Sequence, residues 1–118
     1  MKLFKAFTYA FRGVYTFFSS DTNGKLELCF AAVAIATGFT LHISNTEWIA
    51  VLLCIAMVIS LEMINASIEK LCDMVEPNFH PAIKIIKDTA AGAVLVSAVV
   101  SLIIGLIIFL PKIFIQLQ

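Results

Sequence analysis

Hydrophobic and polar positions follow one rhythm at the start of this chain and another through the rest. Leu3, Phe4, Phe7, Ala10, Phe11, Val14 and Phe18 recur at helical spacing, with Lys2, Lys5 and Arg12 on the other side. That pattern predicts an amphipathic surface helix over residues 2–18, its apolar face in the membrane boundary and its basic groups towards headgroups or water. Ser19, Ser20, Asp21, Thr22, Asn23 and Gly24 follow, and such residues predict a turn. Beyond it the apolar positions merge into three blocks, residues 28–43, 48–68 and 90–115. Crossing about 30 Å of hydrocarbon takes about 20 residues of helix, so each block predicts a transmembrane span. The first is the shortest and must borrow flanking residues or tilt little. Trp48 opens the second as an interfacial aromatic. In the third, Ala93, Ser97, Ser101 and Gly105 recur every four residues, a strip that predicts close helix packing.

Composition supports the same solvent. The chain is 61% hydrophobic and 14% charged, with a mean hydropathy of +1.01, which suits a polytopic membrane protein. Its net charge of zero gives nucleic-acid binding no electrostatic support. The first residues lack the charged-then-apolar order of a signal peptide. Cys29, Cys54 and Cys72 show no metal or redox spacing and read as small buried hydrophobes. Basic residues set the topology: Lys2, Lys5, Arg12 and Lys25 precede the first span, and Lys70, Lys84 and Lys87 crowd the second link. The link over residues 42–47 holds neither Lys nor Arg, and Lys112 alone is basic on that far side. The expected arrangement is a multi-pass membrane protein with its N-terminus and second link in the cytoplasm and its C-terminus outside. Three spans without a soluble domain enclose little volume, which predicts a homo-oligomer whose polar site is completed between subunits. The fold class expected is all-α integral membrane: a surface helix plus three transmembrane helices, one domain over residues 1–118.

Candidate chemistry lies at the end of the second span. Glu62, Asn65, Glu69 and Asp73 fall within roughly a quarter of a helix circumference. Ionisable groups at membrane depth are costly, and they mark polar cavities, partners or ions. Glu62, about 21 Å along the axis from Trp48, suits a general base acting on a hydroxyl within the membrane. Glu69, nearer water, suits a charged ligand of a hard cation such as Mg²⁺. Lys84, Lys87, Asp88 and Ala91 share one face of the next helix. The two lysines offer either a seat for phosphates or simple topology signals that pair with anionic lipid. His80 reads as an ordinary loop histidine, and the surface helix as an anchor or a cover over a nucleotide or headgroup. No P-loop or dinucleotide fingerprint is present. Two other readings are a polar seam that locks subunits together and a proton-conducting oligomer. Between Val51 and Leu61 only Ser60 and Cys54 could extend a proton path, so conduction is poorly furnished.

The pattern Glu62-x-x-Asn65-x-x-x-Glu69-x-x-x-Asp73, with His80 and Lys87-Asp88-x-Ala90-Ala91 after it, resembles the signature of the prokaryotic diacylglycerol kinase family. The likeness covers nearly the whole chain, including Arg12-Gly13 and Asp21. It implies a small homotrimeric enzyme of the bacterial cytoplasmic (inner) membrane that phosphorylates a lipid hydroxyl with Mg²⁺ and ATP. It also implies that Glu62 is the catalytic base and that Asn65 orients the hydroxyl or a catalytic side chain. Glu69 and Asp21 become metal ligands, although the family often has Glu where Asp21 stands. Tyr9, Asp21, Glu69, Asp73, Asn78, Phe79, His80, Lys87 and Asp88 become the nucleotide site, with a weaker role for Lys2. One branch of the family takes diacylglycerol and another undecaprenol. The segments from His80 to Leu95 and Gly105 to Pro111 look more like the undecaprenol branch, with diacylglycerol as the alternative acceptor.

Overall fold

The structure, a computed structural model, describes residues 1–118 as four helices without a strand. These are α1 (Lys2–Ser20), α2 (Thr22–Leu41), α3 (Asn45–Val75) and α4 (Pro81–Leu117). Helices α2, α3 and α4 are each long and apolar enough to cross a membrane. With 20 residues, α2 is about 30 Å long and just spans the hydrocarbon. Helices α3 and α4 have 31 and 37 residues, about 46 and 55 Å, and overshoot it. Their more polar turns lie at the ends joined by residues 76–80 and carry Glu69, Asp73, Lys84 and Lys87. Helix α4 packs mainly on α3, α2 lies against both, and α1 packs on α2.

Two joints set these angles, and both depend on a glycine. The expected turn over residues 19–24 is a single residue, because Asp21 serves both helices. Its backbone N–H donates to Phe17 O at 3.0 Å, closing α1, while its Oδ1 accepts from Gly24 N at 3.0 Å, opening α2. Gly24 lies under the Phe17 ring, where a Cβ would come within 2.8 Å of Cε2. At the far membrane face Gly38 lies under Trp48, and a Cβ there would approach Cη2 to 2.7 Å. Phe39 packs on Trp48 with centroids 4.8 Å apart. His42 ends α2 in the left-handed region, φ 53°, before Ser44 and Glu47 form a reciprocal capping box for α3.

Helix α4 runs through Pro111 to Leu117, just past the expected end of the third span at residue 115, at the cost of one backbone hydrogen bond. Two expectations from sequence change. In the small-residue strip only Ser97 is buried, and a Cβ on Gly105 would meet nothing within 4 Å, so the strip does not serve packing inside one chain. Cys72 is buried, but Cys29 is exposed and Cys54 half-buried; all three are free. Only 12 of 118 residues are buried, too few for a self-contained core, and the apolar side chains of the spans face outward. The innermost apolar contact joins Ile43, Val51 and Ile108 near the far face.

Candidate active site

Helix α3 carries the acidic stripe as expected, and burial divides it. Glu62 and Asn65 are buried, whereas Glu69 and Asp73 emerge at the surface. Asn65 Nδ2 donates to Glu69 Oε1 at 3.3 Å, linking the two halves one helical turn apart. The other amide atom, Asn65 Oδ1, is buried without a partner. A buried acceptor left in this way costs about 1–3 kcal/mol, which a bound hydroxyl or water donor would recover. Asp21, Glu27 and Glu69 lie close enough to Glu62 for their charges to act on it. None of these four carboxylates makes an ion pair; the structure's ion pairs are Lys84–Asp88, Lys87–Asp73 and Lys112–Glu47.

A cleft of about 600 Å³ opens between α1 and the emerging end of α3. Tyr9, Asp21, Glu69 and Asp73, all expected at a nucleotide site, line it together. Its size falls in the range of small-molecule sites, and its walls are mostly polar. Lys87 reaches its edge through a 2.5 Å bond from Nζ to Asp73 Oδ1. Lys87 precedes the apolar part of α4, and this bond holds its ammonium above the usual lysine range, so it stays charged.

Asn78, Phe79, His80 and Asp88 do not line this cleft. Local bonds occupy three of them. Asn78 N donates to Glu76 Oε1 at 3.2 Å, and His80 Nδ1 caps α4 by accepting from Ala82 N at 3.1 Å. Asp88 Oδ2 holds Lys84 Nζ at 2.6 Å, while Phe79 is exposed. Lys2 is also exposed and lies outside the cleft.

Sequence reasoning missed Thr16, Ser20, Ser67 and Lys70 in the cleft wall, and Glu27 beside Glu62. Glu27 left one signal, a carboxylate at the threshold of an apolar span. Helical phase carried the signal for Ser67 and Lys70, which share a ridge with Met63 next to the acidic stripe. A second hollow, about 530 Å³ and almost wholly apolar, runs between α2, α3 and α4 from Glu27 to Ile113.

Known proteins are similar to this chain in sequence. The family described as Prokaryotic diacylglycerol kinase matches residues 8–109. The undecaprenol kinase of Bacillus subtilis is 40% identical over 111 residues, covering 94% of this chain and 90% of that protein. A diacylglycerol kinase of Synechocystis is 32% identical over 110 residues, 92% of this chain and 63% of that one. One of Helicobacter pylori is 30% identical over 98 residues, 83% of this chain and 77% of its own length. With a match that runs from the middle of the surface helix through all three spans to Phe109 and covers the acidic stripe, the chain belongs to the prokaryotic diacylglycerol kinase family.

Proposed function

We propose that this membrane lipid kinase transfers the γ-phosphoryl group of ATP to the primary hydroxyl of undecaprenol, giving undecaprenyl phosphate. The observation that carries the choice of acceptor is the 40% identity, over 94% of the chain, to a relative named undecaprenol kinase. Relatives named diacylglycerol kinase reach 32% and 30%. The apolar hollow that starts at Glu27 and extends through the spans offers a wall for a long hydrocarbon tail.

In this reading Glu62 takes the proton of the lipid hydroxyl as its oxygen attacks the γ-phosphorus. The bond to the β-phosphate oxygen breaks, ADP leaves, and Glu62 later returns the proton to water. Asn65 Oδ1, buried and without a partner, accepts a hydrogen bond from a water or a catalytic side chain beside the hydroxyl, and so orients the hydroxyl or that side chain. Most of the acceleration then comes from positioning and charge stabilisation. The nucleotide occupies the cleft of Tyr9, Asp21, Glu69 and Asp73.

The carboxylates present fit Mg²⁺. Asp21 and Glu69 share the cleft wall, and neither has a cationic partner. Mg²⁺ is held in this open manner, by one or two carboxylates with substrate phosphates. Asp21 and Glu69 would hold it, and bound there it would neutralise charge on the phosphates.

The active assembly in this reading is a homotrimer with its N-terminus and cleft in the cytoplasm. The scarcity of buried residues supports partner subunits. Asn78, Phe79, His80 and Asp88 would reach the nucleotide only in that assembly. The test measures transfer of labelled γ-phosphate from Mg·ATP, with undecaprenol and diacylglycerol in separate mixed micelles. Faster labelling of undecaprenol supports the proposal; faster labelling of diacylglycerol replaces the acceptor and leaves the mechanism.

A further inference from the structure

A polyphosphate needs several cations, and the lysine that the family signature offers is only one. Lys87 is bound to Asp73, Lys84 to Asp88 and Lys112 to Glu47. Among the remaining basic side chains, Arg12 and Lys70 line the cleft, while Lys2, Lys5 and Lys25 do not. Arg12 projects from α1 with its guanidinium 5.7 Å from the Tyr9 ring centroid, a cation–π contact that fixes its direction. Lys70 faces it from α3.

The phase of α3 separates the acids from this lysine. At about 100° per residue, Lys70 sits about 40° from Ala66, the middle of the arc that faces the cleft. Glu69 lies about 60° from Ala66 on the other side, towards Asn65. One wall of the cleft therefore has an acidic ridge, Glu69 and Asp73, beside a ridge of Met63, Ser67 and Lys70. The acidic ridge would repel phosphate; the second ridge carries a cation with no carboxylate to satisfy it.

We propose that Lys70 on α3 and Arg12 on α1 clamp the nucleotide's phosphate chain from opposite sides of the cleft. This inference rests on the kinase reading and names the side chains of that site which take phosphate directly. Lys87, at the rim on Asp73, remains a third cation for the same phosphates. Both members of the clamp are solvent-accessible, so each contributes a screened contact to nucleotide affinity and little to the chemical step.

The test is steady-state phosphoryl transfer by the purified full chain, with Mg·ATP varied and lipid acceptor saturating. Lys70→Gln should raise the KM for Mg·ATP about fivefold, leave kcat within about twofold, and leave the acceptor KM unchanged. Lys70→Arg should restore the KM, and added salt should shrink the difference between wild type and Lys70→Gln. Arg12→Gln should behave alike, and Lys5→Gln, outside the cleft, should not. An unchanged nucleotide KM in Lys70→Gln, or a fall in kcat alone, overturns the clamp. Displacement of a fluorescent ATP analogue separates this from failure of the kinase reading. A wild type that phosphorylates no lipid, yet binds the analogue through Lys70, refutes the kinase and keeps the clamp. Active transfer indifferent to Lys70 does the reverse. If Lys70→Gln does not fold, Lys70→Met keeps the aliphatic stem and reads the same charge.

Discussion

Replacing Asp21 by asparagine and by alanine separates two roles that one carboxylate holds. As a cap, Asp21 Oδ1 receives Gly24 N at 3.0 Å, and Gly24 is buried beneath the Phe17 ring. Loss of an N-cap costs about 0.5–2 kcal/mol, and this one belongs in the upper half of that range. Water cannot readily reach the stranded Gly24 N–H, so its desolvation adds to the loss. Asp21→Ala should therefore lower stability by about 1–2 kcal/mol, whereas Asp21→Asn keeps an acceptor oxygen and should cost only a few tenths. As a charged group in the cleft, Asp21 faces the opposite comparison. Asparagine removes the charge as completely as alanine does, so both should lose activity by about a hundredfold or more, through weaker metal and phosphate handling. The assays are thermal unfolding in one fixed detergent and phosphoryl transfer at saturating Mg·ATP, with excess Mg²⁺ as a rescue arm. The reasoning fails if Asp21→Asn retains near-normal turnover, or if Asp21→Ala unfolds at the wild-type temperature.

Glu62→Gln should abolish transfer to every lipid acceptor while the thermal transition stays in place; appreciable turnover would remove Glu62 as the base. Gly38→Ala should destabilise the far-side joint by about 1–3 kcal/mol, because its Cβ must displace the Trp48 ring, and Trp48 fluorescence should shift with it. Glu47 lies at the entrance to α3, where the Ser44 backbone N–H, and then Lys112, hold its carboxyl below the ordinary 4.5. Its charge therefore stabilises the fold fully above pH 4.5 and stops doing so as pH falls through its lower folded value. The stability gap between wild type and Glu47→Gln should be constant at neutral pH and close below that point. Chelation should stop transfer, and Mg²⁺ should restore it; transfer that persists in excess chelator would refute a metal on Asp21 and Glu69.

Helices were legible wherever solvent imposed a simple rule. Hydrocarbon demands long apolar segments with satisfied backbones, so three blocks of sequence became α2, α3 and α4. The helix ends were less legible, because polar residues such as Glu69–Asp73 and Lys84–Asp88 continue a helix as readily as they leave one. The joint at Asp21 shows the same limit. Six polar or small residues look like a turn, but the need to bring Gly24 under Phe17 compresses it to one residue. The glycines at 24 and 38 could be read as loop or packing residues; only the ring above each shows which.

For the site, spacing along one helix was readable and pairing between helices was not. The stripe on α3 follows from phase alone, and the structure keeps it on one face. Yet Lys87 and Asp73, both expected at the nucleotide, spend their charges on each other, as do Lys84 and Asp88. A linear pattern cannot distinguish a charge neutralised by its neighbour from one left for a ligand. Chain geometry makes that distinction. After the ion pairs are drawn, Asp21, Glu27, Glu62 and Glu69 remain without cations, and Arg12 and Lys70 face the same cleft without anions. No ion pair joins Arg12 or Lys70 to a carboxylate, and Glu69 and Lys70, though adjacent in sequence, leave α3 about 100° apart. A helix can thus present acid and base side by side without allowing them to pair. Such a surface is unsatisfied by itself, and a ligand with phosphates at one end and a coordinated cation beside them completes it.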